Sequence, residues 1–293
     1  MIFAGSSHSR LAYEVAQFLG VKLGQVAIET FPDKETGVQI LENVRGKDVF
    51  VIQSLAHEPN HFLMELLILV DALKRASARS IVAVLPYYAY ARQDRKEKAQ
   101  VPITARLMAN LLERAGVTRV LTMDLHTEQI EGFFDIPVDN LYARSLFVEA
   151  IKKRKLKNAI VVSPDVGRNK MARSFAEDLK LDLAIVDKRR VSSRSVEVSA
   201  LIGDVKGKDV IIIDDMCSTG STLMSAAKVC KEAGAKAVFA VVTHGLFIGG
   251  TKLKGIDEIL VTNSIPLPKG VQGISIAPLL GKAIGRVISA NSI

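Results

Sequence analysis

Short runs dense in Val, Ile, Leu and Phe alternate along this chain with stretches whose apolar residues return every three or four positions. The runs VFVIQ (49–53), SIVAVLPY (80–87), RVLTMD (119–124), AIVVS (159–163), LAIVD (183–187), VIIID (210–214) and AVFAVVTH (237–244) predict buried strands. FLMELLILVDALKRA (62–76) and STLMSAAKVCKEAGA (221–235) carry the helical period. Strands alternating with helices over the whole length predict an α/β protein with mainly parallel sheets flanked by helices, because parallel neighbours need a crossover connection.

The pattern is written twice. NVRGKDVFVIQS (43–54) aligns with DVKGKDVIIIDD (204–215), LAYEVAQFLGVKL (11–23) with MARSFAEDLKLDL (171–183), and KRASARSIVAVLPY (74–87) with KEAGAKAVFAVVTH (231–244). Three blocks in one order predict two similar domains, 1–143 and 144–276, with a C-terminal helix in 277–293 returning to the first. The copies differ in chemistry. Asp214-Asp215 in the second faces Gln53-Ser54 in the first, and Pro164-Asp165 faces Ala4-Gly5.

The stretch VIIIDDMCSTGST (210–222) concentrates the candidate chemistry. Ser218, Thr219, Gly220, Ser221 and Thr222 would open the helix after a strand, offering backbone N–H groups, hydroxyls and the positive helix end to an anion. The Walker pattern GxxxxGK[ST] is absent from this loop. Asp214 and Asp215 beside an anion cradle make sense if they accept from sugar hydroxyls or bind a metal. Helix capping explains one such residue and not the set. A phosphorylated sugar is the best simple ligand.

Composition narrows the partners. With 39 basic and 31 acidic residues the net charge is +8, which favours anionic ligands. No Trp and 5% aromatics leave little surface for stacking single-stranded nucleic acid, so no nucleic-acid partner is expected. KKRKLK (152–157) is the end of a solvated helix. Cys217 and Cys230 lack metal-ligand spacing and are too few for a disulfide framework; Cys217 is a bystander in the loop. No apolar run approaches the ~20 residues of a membrane span. Met1 runs directly into IFAG without a leader pattern, and the expectation is a cytoplasmic protein with no membrane partner.

VIIIDDMCSTGST resembles the phosphoribosyl-diphosphate loop of type I phosphoribosyltransferases, whose paired acids bind ribose hydroxyls and whose TGST turn binds the 5-phosphate. On that motif alone, transfer to a purine, a pyrimidine or orotate stays open. PYYAYARQDRK (86–96), FPDKE (31–35), MDLHTEQIEGFFDIPVDNLYA (123–143) and SPDVGRNKMA (163–172) together resemble the ribose-phosphate diphosphokinase (phosphoribosyl-diphosphate synthetase) family over nearly the whole chain. The resemblance implies two tandem type I phosphoribosyltransferase-like domains, in agreement with the repeat. It also implies transfer of the diphosphoryl group of ATP to ribose 5-phosphate, with Mg²⁺ as cofactor.

Roles follow from the resemblance, position by position. Ribose 5-phosphate would lie on Asp214, Asp215, Ser218, Thr219, Gly220, Ser221 and Thr222, with Arg190. ATP would meet Arg92 and Gln93, together with Phe31, Asp33, Lys34 and Glu35 from a loop that reaches into a neighbouring subunit's site. A homo-oligomer, at least a dimer, is therefore expected. His126 and Asp165 resemble the Mg²⁺-linked pair, and Lys188 and Arg190 in VDKRRVSSRS (186–195) the catalytic loop. The chain departs from phosphate- and ADP-regulated members at Gln100 and Ser218, where they have Arg and Asp, and in a tail that stops at Ile293. Activity without phosphate dependence is the expectation.

Two other readings weigh less. A phosphoribosyltransferase acting on a base would lack ARQDR and the second copy. A non-catalytic regulatory subunit would have lost the catalytic loop, yet Lys188, Arg190, His126 and Asp165 are present.

Overall fold

The computed structural model describes residues 1–156, 158–190 and 197–289, and at 188–190 and 197–199 the backbone alone. The chain divides into two compact units. The first is Met1–Tyr142 with Ser264–Pro266 and the chain from Ser275 onward; the second is Ala143–Asn263 with Leu267–Ile274.

The first unit runs β1 (Ile2–Ala4), α1 (Ser9–Phe18), β2 (Val26–Thr30), β3 (Thr36–Ile40), β4 (Asp48–Ile52), α2 (Pro59–Arg75), β5 (Ser80–Leu85), α3 (Thr104–Ala115), β6 (Arg119–Met123) and β7 (Val138–Leu141). Its sheet has the order β1-β4-β5-β6-β7 and is parallel throughout. The interior strands DVFVI and SIVAVL are almost wholly buried, as a sheet covered on both faces requires. β2 and β3 form a separate antiparallel hairpin with mixed exposure.

The second unit runs α4 (Arg144–Lys153), β8 (Ala159–Ser163), α5 (Asn169–Leu179), β9 (Asp182–Arg190), β10 (Glu197–Ile202), β11 (Asp209–Cys217), α6 (Ser221–Glu232), β12 (Ala237–Gly245) and β13 (Glu258–Val261). Its sheet order is β10-β9-β8-β11-β12-β13, with β10 antiparallel to β9 and the other pairs parallel. A final helix, α7 (Ala277–Ile288), belongs to the first unit and packs on α1. Gly281 makes that packing possible: a Cβ there would fall 2.3 Å from Cδ1 of Phe18.

The duplication is visible in the strand order. β1, β4, β5 and β6 follow one another across the first sheet as β8, β11, β12 and β13 do across the second. Beyond β1, a single parallel bridge from Ile2 to Leu23 stands where β9 pairs with β8.

Two predicted strands prove longer. LAIVD extends to Arg190 because β10 pairs along it. VIIID extends to Cys217 because β12 continues beside it, pairing Asp214 with Val242 and Cys217 with Gly245. Both acids therefore lie within the strand, which continues two residues beyond them. No described helix is long and apolar enough to cross a membrane.

Candidate active site

In the second unit the chain leaves β8 toward β9 on one side and leaves β11 toward β12 on the other. Such a switch point opens a crevice beyond the carboxyl ends of the two strands. The β8–β11 ladder ends at the pair Val162 and Ile212, while β11 continues along β12. Asp214 and Asp215 thus sit just past the last rung, 7% and 1% exposed. Burial above all, and then the neighbouring Asp215 charge, push the Asp214 carboxyl well above the ordinary range; Arg168 opposes them.

Arg168 stands in a short 3-10 turn (Val166–Arg168) after β8. Its Nε lies 3.3 Å from Asp214 Oδ1 and its Nη2 3.0 Å from Asp215 Oδ1. Its backbone N–H donates to Asp165 Oδ1 at 3.0 Å, so one residue meets three carboxylates. Sequence reasoning missed Arg168. The only signal was a cation three positions after Asp165 in SPDVGRNK, and nothing there points to a partner on β11.

The predicted anion cradle follows β11. Gly220 caps α6 at φ +81°, and a Cβ there would meet Leu253 at 2.5 Å, so glycine is required twice over. The N-cap glycine has no side chain with which to cap the helix, and of its first N–H groups that of Ser221 donates to Thr219 Oγ1 at 3.4 Å. Thr219 and Ser221 are exposed, while Ser218 and Thr222 are half-buried. The loop is braced by the segment after β12. Leu246 and Phe247 N–H donate to Cys217 O at 2.9 and 3.1 Å, and Ile248 N–H donates to Ser218 O at 2.9 Å. Cys217 is buried, and that burial, aided by Asp214, raises its thiol to about 11.

The first unit presents the residues expected to meet ATP. Phe31, Asp33, Lys34 and Glu35 form the exposed tip of the β2–β3 hairpin. Phe31 N–H donates to Glu35 O at 2.8 Å, and Asp33 Oδ1 accepts from Glu35 N–H at 3.2 Å. The Phe31 ring lies over Gly37, where a Cβ would come within 2.9 Å of it. Arg92 and Gln93 are exposed beyond β5. Gln93 is tied to the start of α3, its Oε1 accepting from Thr104 Oγ1 at 2.5 Å and its carbonyl from Ala105 N–H at 3.2 Å. Arg92 makes no ion pair among the described residues. Thr127 Oγ1 donates to Asp94 Oδ2 at 2.8 Å, which joins the loop of Arg92 and Gln93 to that of half-buried His126.

His126 belongs to the first unit and Asp165 to the second. Among the described residues no three His, Cys, Asp or Glu side chains cluster as a metal cage. Mg²⁺ commonly takes one or two protein carboxylates and completes its shell with water and substrate phosphates, and Asp165 is a donor of that kind. Lys188 and Arg190 fall on β9 opposite Ser199 and Glu197; their side chains lie outside the described residues.

The corresponding crevice of the first copy is closed by its own side chains. Gln53 and Ser54 are fully buried. Gln53 Oε1 accepts from Ser7 N–H at 3.1 Å and from Ser7 Oγ at 2.6 Å, while its Nε2 donates to Glu65 Oε1 at 2.7 Å. Glu65 also accepts from Ser6 N–H at 2.7 Å and Ser6 Oγ at 2.5 Å. A Cβ on Gly5 would lie 2.3 Å from Gln53 Oε1, so the space is filled.

Comparison with known proteins draws on the whole chain. Residues 1–116 match the family model described as the N-terminal domain of ribose phosphate pyrophosphokinase, and residues 190–293 match a phosphoribosyl synthetase-associated domain. The chain is 50% identical to a ribose-phosphate pyrophosphokinase of Wolinella succinogenes, covering 100% of this chain and 97% of that one. It is 48% identical to the Helicobacter pylori protein of the same name, covering 100% and 94%. The crystal structure of phosphoribosylpyrophosphate synthetase from Mycobacterium smegmatis superposes with a TM-score of 0.93 at 41% identity, covering 99% of each chain.

Proposed function

Since the chain belongs to the ribose-phosphate pyrophosphokinase family, we propose that its second copy holds the sugar while its first copy presents the nucleotide loops. The reaction is transfer of the diphosphoryl group of ATP to the anomeric hydroxyl of D-ribose 5-phosphate, giving 5-phospho-α-D-ribose 1-diphosphate and AMP. The observation that carries the division is the contrast between the two crevices. Asp214, Asp215 and a glycine-capped helix end form one, and a self-satisfied network fills the other.

The α6 N-terminus, with Ser218, Thr219, Gly220, Ser221 and Thr222, takes the 5-phosphate, where N–H groups and the helix dipole favour a dianion. Asp214 and Asp215 accept from the ribose hydroxyls and so fix the ring with its anomeric carbon outward. The anomeric oxygen then attacks the β-phosphorus of ATP. The bond from that phosphorus to the α,β-bridging oxygen breaks, AMP leaves, and the attacking hydroxyl gives up its proton. Positioning and charge neutralisation supply most of the acceleration in such transfers.

Lys188 and Arg190 are assigned to the charge that develops on the transferring group, with Arg190 also on the sugar phosphate. Arg92 and Gln93 are assigned to ATP. Phe31 stacks on adenine, Asp33 and Glu35 accept from its amino group, and Lys34 adds positive charge. Mg²⁺, held by His126, Asp165 and the phosphates of ATP, would neutralise phosphate charge when bound. The hairpin serves a neighbouring copy, so the working enzyme is at least a dimer. Met64, Leu107 and Leu111, exposed apolar residues on the packed pair α2 and α3, support an assembly surface. A cytoplasmic setting supplies both substrates.

The test is incubation with ATP, Mg²⁺ and ribose 5-phosphate, followed by separation of nucleotides. AMP equal to the 5-phosphoribosyl 1-diphosphate formed is expected. ADP in place of AMP, or AMP released without the sugar, contradicts the assignment.

A further inference from the structure

We infer that Arg168 is a positioning residue of the sugar site, whose guanidinium holds Asp214 and Asp215 together as the pair of carboxyl groups that receives the ribose hydroxyls. The inference rests on the assignment of those two acids to ribose 5-phosphate made above. Its first support is geometric. Nε and Nη2 of a single planar guanidinium each address a different carboxylate, at 3.3 and 3.0 Å. The contact to Asp215 Oδ1 is an ion pair and not an aligned hydrogen bond, so the planar guanidinium holds the two carboxylates together by charge and position.

The second support is electrostatic. Adjacent carboxylates in a buried strand repel each other and lose hydration, and a third acid, Asp165, stands at the end of β8. Arg168, its side chain only 15% exposed, supplies the opposite charge inside that cluster. It is also braced, because its own N–H donates to Asp165 Oδ1 and α5 starts at the next residue. The guanidinium therefore leaves from a fixed turn.

The repeat provides the third support. The matching 3-10 turn of the first copy (Ser6–His8) has no arginine, and the matching strand end has Gln53-Ser54 in place of the acids. Arginine and acid pair are present together in one copy and missing together from the other. An arginine kept only to brace the turn would have no reason to follow the acids.

The experiment measures kcat and the two KM values for R168Q, R168K and D214N beside the wild-type enzyme. R168Q should raise KM for ribose 5-phosphate about ten-fold or more, the scale of losing one partly buried ion pair. KM for ATP and kcat at saturating sugar should stay within about two-fold, since the lost interaction is with the ground-state sugar. R168K restores the charge but not the planar guanidinium, so its KM for the sugar should fall between. Should R168Q fail to fold, R168K decides, and a wild-type KM in that variant overturns the clamp. A lowered KM for the sugar would mean that Arg168 competes with it for the acids. A fall in kcat with unchanged KM would mean that Arg168 touches the reacting groups. Either result overturns the positioning role. D214N separates the layers: a raised sugar KM there with none in R168Q removes the role of Arg168 alone. Unchanged KM in both removes the sugar assignment and this role with it.

Discussion

Gln53 Nε2 donates to the buried Glu65 carboxylate across 2.7 Å, at the position that Asp214 holds in the second copy of the repeat. The two crevices share strand order and differ in who occupies them. In the first, Ser6, Ser7, Gln53 and Glu65 satisfy one another. In the second stand adjacent buried acids and a helix end whose N-cap is a glycine. On the proposed assignment, one duplicated fold has become one closed half and one binding half.

Gln53→Ala should therefore damage stability rather than sugar binding. It leaves Glu65, 1% exposed, short of one donor, which costs about 1–3 kcal/mol. The urea midpoint should fall while KM for ribose 5-phosphate holds. A sugar KM raised as far as in an Asp214 variant would show that the first crevice binds too.

Phe31→Ala should raise KM for ATP about ten-fold with little effect on the sugar. A stacked base is worth about 1–3 kcal/mol, and the Phe31 ring is 42% exposed at the hairpin tip. Mixing F31A protein with a variant impaired in sugar binding, such as D214N, should restore activity at a fraction of sites if the hairpin serves a neighbour. Steady-state rates of the mixture equal to the sum of the separate proteins would place the hairpin on its own chain's site.

Most interior strands were legible because a sheet covered on both faces leaves dense apolar runs, as in DVFVI and SIVAVL. The hairpin was not, since VAIET and TGVQI are partly exposed and carry no such run. Asp215, Met216 and Cys217 lay beyond the predicted strand VIIID because small polar loop residues follow them; only the neighbouring β12 shows that the strand continues through Cys217. The proposal of a phosphorylated sugar for Asp214, Asp215 and the loop 218–222 comes from the chemistry of those residues themselves. His126 and Asp165 were not, because single residues far apart in sequence have no spacing to read, and the family likeness alone singled them out. Arg168 escaped both routes: its partners are on another strand, and its role exists only once the sheet is formed.

Lys188→Ala should lower kcat and kcat/KM together by about 10² or more, as expected when a preorganised cation acting on developing charge is lost. Steady-state kinetics against both substrates decide it. A raised KM with kcat intact would make Lys188 a binding residue only.

Cys217 should resist alkylation. Burial holds its thiol protonated up to about 11, whereas a free cysteine ionises near 8.5. At pH 8 the thiolate fraction is then about two orders of magnitude below that of a free thiol. Iodoacetamide labelling followed by mass spectrometry should be slow at pH 8 and accelerate only as pH approaches 11. Full modification within minutes at pH 8 would refute the buried, neutral thiol.

One crevice of two holds the sugar on the proposed assignment, and equilibrium binding of radiolabelled ribose 5-phosphate counts the sites directly. The expected result is one sugar per chain for the wild-type protein and for Gln53→Ala, with that site lost or weakened at least about ten-fold in Asp214→Asn. Two sugars per chain, or a site that survives Asp214→Asn and disappears in Gln53→Ala, would contradict the division of the repeat into a closed half and a binding half.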